Sequence, residues 1–135
     1  MSTTIPHTAK SVFFGCIDDR LVEPDVAFIK QLKGGAFNPK IAGGGIAFLT
    51  EEDRHSALKQ VAASYRINHI TDVYLESHTD CGAYRLAGIT FDNPTAEAVR
   101  DTLIEAGAQE GEVSIHVRVV DPEGHPVDRP RQIAA

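Results

Sequence analysis

The chain reads as an α/β domain of three layers, in which a mainly parallel four- to five-stranded β-sheet is flanked by helices. Three observations carry this expectation. Short, nearly continuous apolar runs such as SVFFGCI and ITDVYLESH have the length and β-branched content of strands covered on both faces. Between them lie longer segments whose apolar residues recur at helical spacing. The resulting βαβαβαβ order requires right-handed crossovers, which place helices against both faces of one sheet.

The elements follow in order. Residues 11–17, SVFFGCI, form the first strand. After Pro24, the segment DVAFIKQLKGG predicts a helix over 25–35, with Asp25 as N-cap and Gly34-Gly35 as the stop. Residues 39–45, PKIAGGG, read as a short second strand that breaks into a glycine loop. The next helix, 50–68, opens with Thr50 and Asp53 in a near capping box and carries Ala57, Leu58, Val61, Ala62 and Tyr65 on one stripe. Residues 70–78 give the third strand, 93–107 a helix ending in glycine, and 112–121 the fourth strand. The tail PEGHPVDRPRQIAA holds three prolines and is expected to cross the surface as turn and extended chain.

Composition narrows the function. A chain of 135 residues with 42% hydrophobic content suits a single domain over 1–135. Its formal charge of −6, with the 13 basic residues scattered, argues against a nucleic-acid or anionic-membrane partner. No run of about 18 apolar residues exists to cross a membrane. The first ten residues, MSTTIPHTAK, lack the apolar core of a secretory signal. A cytoplasmic protein is expected. There the two cysteines stay reduced, and metal binding or catalysis is favoured over a disulfide.

In open parallel sheets the functional crevice lies beyond the carboxyl ends of the strands. Cys16-Ile17-Asp18-Asp19-Arg20 follows the first strand, Ala42-Gly43-Gly44-Gly45 the second, and His78-Thr79-Asp80-Cys81-Gly82 the third. Three loops therefore converge on one edge. Cys16, His78 and Cys81 make a soft set for Zn2+, and three protein ligands leave the fourth position that a catalytic zinc keeps open. Taken singly, Cys16 would pass for a small buried hydrophobe and His78 for a hydrogen-bonded loop residue. Asp18 and Arg20, two apart, can point the same way on extended chain. An Asp paired with Arg stays ionised and can accept a proton beside the metal without binding it. Otherwise the two form an ordinary surface ion pair. The backbone amides of Gly43 and Gly44 are candidates for lining a substrate pocket, the alternative being a tight turn. Histidines 7, 55, 69, 116 and 125 are scattered and read as surface or structural.

C-I-D-D-R and H-T-D-C-G resemble the paired motifs C-x-D-S-R and H-x-x-C-G of the β-class carbonic anhydrases, in the same order and at the same kind of strand end. The resemblance extends from about Val12 to Val120. It implies reversible hydration of CO2 to bicarbonate by a zinc-bound hydroxide, with Cys16, His78 and Cys81 as ligands and the Asp18–Arg20 dyad orienting the hydroxide. It further implies that Asp18 can swing onto the metal as a fourth ligand, and that the protein is a homodimer or higher oligomer. Two positions depart from the pattern: Asp19 stands where the family has Ser, and Lys40-Ile41-Ala42-Gly43 where it has R-N-A-G. The first strand begins after about ten residues, leaving little chain for the N-terminal helices that clasp a partner in the family. Two other functions fit the same residues: hydrolysis of a CO2 analogue such as carbonyl sulfide or carbon disulfide, and a non-catalytic zinc-stabilised binding or scaffold module.

Overall fold

Strands and helices alternate in the computed structural model, which describes residues 8–45, 50–81 and 95–127. The order is β1 (Ser11–Cys16), a single 3-10 turn (Asp19–Leu21), α1 (Val22–Lys30), β2 (Ala36–Phe37), β3 (Lys40–Ile41), α2 (Glu51–Asn68), β4 (Asp72–His78), α3 (Thr95–Glu105) and β5 (Ser114–Val120). The sheet runs β2-β1-β4-β5, β3 adds to β1, and every strand pairing is parallel. The α/β architecture expected from the alternating pattern is present. Among the described residues, no helix is long and apolar enough to cross a membrane.

Strand periodicity explains how the layers pack. Along β1, Val12 and Phe14 point to one face and Phe13 to the other, as a period of two requires. Val12, Phe14, Val73 and Leu75 build the main core against Ala57, Val61 and Tyr65 of α2 and Val99 and Leu103 of α3. On the opposite face the rings of Phe13, Phe28 and Tyr74 pack together, with Phe13–Phe28 and Phe28–Tyr74 centroids 5.4 and 5.2 Å apart. α2 starts as its sequence dictates: Thr50 Oγ1 accepts the Asp53 amide at 3.0 Å. Its apolar stripe turns inward through Ala57, Val61 and Tyr65.

Two elements differ from expectation. α1 begins three residues earlier than predicted, at Val22, so Pro24 sits in its first turn, where a missing N–H costs nothing. Asp25 is consequently not an N-cap. It is buried inside the helix and accepts from Lys40 Nζ at 3.0 Å. The second strand is also two short pieces, β2 and β3, separated by Asn38-Pro39, and it stops at Ile41 because the glycines that follow turn the chain. Residues 93–94 of the third predicted helix, Gly82 and the end of the tail, 128–135, lie outside the described residues. Residues 122–127 of the tail do form a turn, closed by an isolated bridge between Val120 and Pro126.

A charged network lies between sheet and α1. Glu76 is buried and pairs with Arg118 Nε at 2.7 Å, while Arg118 stacks over the Phe28 ring at 4.0 Å. Burial, then the neighbouring Asp25 carboxyl, pushes Glu76 up to about 8, while the Arg118 guanidinium pulls it back down. Gly15 leaves room for this network, since a Cβ there would come within 2.8 Å of Asp25 Oδ2.

Candidate metal centre

Parallel register brings the predicted ligands to one edge. Gly15 and Cys16 at the end of β1 pair with Lys40 and Ile41 of β3 on one side, while β1 runs alongside β4 through Phe14 and Leu75 on the other. His78 ends β4, opposite Val120 of β5. From these strand ends Cys16, His78 and Cys81 converge, all three buried, with their ligand atoms within 4.8 Å of one another. Neither cysteine is in a disulfide.

The donor set is arranged for a cation. Nδ1 of His78 lies 2.9 Å from the Thr79 carbonyl and donates to it, which leaves the lone pair on Nε2. That Nε2 is fully buried and has no hydrogen-bond partner. A buried orphan of this kind costs about 1–3 kcal/mol unless something binds it. Cys16 is set up as a thiolate: its pKa falls to about 4, because Cys81 donates to the sulfur and outweighs burial, with the neighbouring His78 ring and the amides of Asp18 and Gly43 lowering it further. The Gly43 amide reaches Cys16 Sγ at 3.3 Å. For His78, burial disfavours charge, but the Cys16 sulfur and the Thr79 carbonyl carry its pKa above the ordinary imidazole value. Two sulfurs and one imidazole nitrogen gathered this closely fit a soft or borderline divalent metal ion.

Asp18 and Arg20 sit beside this set. Asp18 caps the 3-10 turn, and its Oδ1 accepts the Arg20 backbone N–H at 2.9 Å. The Arg20 guanidinium then grips the same carboxylate, through Nη2 to Oδ2 at 2.7 Å and Nε to Oδ1 at 3.1 Å. A spacing of two residues therefore serves both cap and ion pair. The Arg20 hydrogen bond holds Asp18 down to about 2, so the carboxylate stays an acceptor at neutral pH. Its Oδ2 stands 3.6 Å from His78 Nε2.

The comparisons add no family. No family model matches the chain, and no curated protein is significantly similar to it.

The glycine loop is placed beside the centre, but its amides are engaged. Gly43 donates to the Cys16 sulfur, and the Gly44 amide closes a turn on the Ile41 carbonyl at 2.9 Å. Gly44 has φ +74°, and a Cβ there would meet the Glu76 carbonyl oxygen at 2.0 Å. The loop thus lies directly on the β4 backbone leading to His78. Asp80 was given no role by the sequence, yet it pairs with Arg20 at 3.0 Å. Its partner is 60 residues away, and no local spacing encodes that contact.

Proposed function

We propose that the protein is a zinc-dependent carbonic anhydrase that hydrates CO2 reversibly to bicarbonate, with Cys16, His78 and Cys81 holding Zn2+ and Asp18 and Arg20 acting beside it. The observation that carries the reading is the juxtaposition of the Asp18 carboxylate with the buried, partnerless Nε2 of His78 at 3.6 Å. A structural zinc site has no need of an ionised carboxylate fixed next to its donors. When bound, zinc supplies Lewis acidity that lowers the pKa of water from about 15.7 to about 7, so that hydroxide is at hand at neutral pH.

The chain's own residues do the rest. Cys16 and Cys81 supply negative sulfur, and His78 supplies a neutral nitrogen oriented by Thr79. Asp18, ionised, would accept a hydrogen bond at its carboxylate from the attacking water or hydroxide and so orient it toward the carbon of CO2. Arg20 keeps that carboxylate ionised and in place. The Gly43 amide stabilises charge on the Cys16 sulfur. The reading also carries a cytoplasmic setting, which keeps both thiols reduced, and a homodimer or larger assembly. A monomer mass by light scattering at micromolar concentration would overturn the assembly.

Stopped-flow hydration of CO2 by the zinc-loaded protein between pH 7 and about 9 tests the activity. Turnover that rises with pH supports the reading. An inert protein with full zinc overturns it, in favour of an analogue hydrolase if carbonyl sulfide or carbon disulfide is consumed and of a scaffold if neither is.

A further inference from the structure

Arg20 is held on two sides. Its Nε/Nη2 edge lies on Asp18, and its Nη1/Nη2 edge lies on Asp80, with Nη2 to Asp80 Oδ1 at 3.0 Å and Nη1 to Asp80 Oδ2 at 3.3 Å. Nη2 is shared between the two carboxylates. A planar guanidinium gripped along one edge can still swing, because its long stem keeps much of its rotamer freedom. Gripped along both edges, its plane is fixed.

Asp80 comes to this position at a backbone cost. Its φ of +54° lies in the left-handed region, which Asp tolerates better than most residues but which is still strained. It stands between His78 and Cys81, so the contact with Arg20 ties the end of β4, with two of the three candidate ligands, to the turn that follows Cys16 at the end of β1. Asp80 Oδ1 also lies 3.6 Å from His78 Nδ1. That is too long to replace the Thr79 carbonyl, which already takes the Nδ1 proton at 2.9 Å.

We propose that Asp80 is a positioning residue: by docking the outer edge of Arg20 it fixes the guanidinium, and through it the Asp18 carboxylate, in a single orientation beside the Cys16–His78–Cys81 cluster. This rests on the carbonic anhydrase reading for its effect on rate, but not for its effect on Arg20. The side chains of Arg20 and Asp80 are 45% and 44% exposed, so the contact adds little to global stability, and its consequence is local order.

Two variants test this. Asp80→Asn removes the charge and keeps a side chain that tolerates the left-handed backbone; Asp80→Gly keeps the backbone and removes the carboxylate altogether. Both are compared with wild type by hydrogen exchange at the Arg20 Nε–H in NMR, by zinc affinity in chelator competition, and by the kinetics of CO2 hydration. The expected result is Nε–H exchange at least about tenfold faster, a kcat lower by about tenfold with KM within twofold, and zinc affinity within about threefold of wild type. Unchanged exchange in both variants overturns the proposal, whatever the rates. A zinc affinity that falls tenfold or more with unchanged Arg20 exchange also overturns it, since Asp80 would then be acting through His78. If wild type proves inert toward CO2 while Arg20 exchange still accelerates in both variants, the positioning of Arg20 stands and only the reaction assigned to the site falls.

Discussion

Asp18 Oδ2 lies 3.6 Å from Nε2 of His78, close enough to sense it and too far to hydrogen-bond with it. The gap belongs to a carboxylate already committed elsewhere, since Arg20 Nη2 takes that same oxygen at 2.7 Å. Asp18 thus stands next to the donor set while its charge is held by Arg20, and this separation of roles gives the site its distinct predictions.

Asp18→Asn should keep about one zinc per chain and lose CO2 hydration by about 100- to 10,000-fold, the usual effect of removing a positioned acid-base group. An exposed ion pair alone contributes at most about 1 kcal/mol and could not account for such a loss. Metal analysis and stopped-flow kinetics on the same sample check both halves. A variant hydrating CO2 at the wild-type rate contradicts the role of Asp18.

Cys81→Ser should strip the metal and lower thermal stability, because Cys81 is buried among the donors and two strand ends lose a common ligand. Zinc content by plasma mass spectrometry and a melting curve read the two effects. Full zinc retention would remove Cys81 from the ligand set.

Much of this site was legible in the sequence because its spacing is local. Asp18 and Arg20 share one 3-10 turn, and His78 and Cys81 lie three residues apart, so short motifs contain most of the chemistry. β1 and α2 were equally legible, one as an unbroken apolar run and the other through Thr50 and its inward stripe. The start of α1 was not, because its N-cap is Leu21, which offers no capping side chain. The contacts of Asp80 with Arg20, and of Asp25 with Lys40 and Glu76, were also hidden. Such pairs depend on sheet register and on which helix face turns inward, and residue type alone encodes neither.

Gly44→Ala should destabilise the fold by on the order of 2–4 kcal/mol, combining left-handed backbone strain with a clash against the β4 backbone. A Cβ at φ +74° would stand 2.0 Å from the Glu76 carbonyl oxygen, and backbone cannot give way as a flexible side chain does. Urea denaturation measures the change. A shift below about 0.5 kcal/mol, within the usual scatter of surface substitutions, would show that the loop does not rest on β4 in this way.

Acid should weaken one tie between α2 and the loop before β5. The Tyr65 hydroxyl donates to Glu112 Oε2, and this bond, with the Gln109 amide, holds the Glu112 carboxyl below its ordinary range. A depressed folded-state pKa means the contribution is fully present above the unfolded value of about 4.3 and is lost as pH falls through the lower folded value. The stability difference between wild type and Glu112→Gln should therefore be present at pH 7 and shrink below about pH 4. Urea midpoints across that range decide it, and a difference that stays constant down to pH 3 contradicts the assignment.

The most direct measurement is zinc-edge X-ray absorption on the purified protein. Two sulfur scatterers at about 2.3 Å and one imidazole nitrogen at about 2.0–2.1 Å, with a light fourth ligand, are the expected shell for zinc held by Cys16, Cys81 and His78. A zinc shell of oxygen and nitrogen alone, or one unchanged in Cys16→Ser, would place the metal elsewhere and contradict the centre on which the proposed function rests.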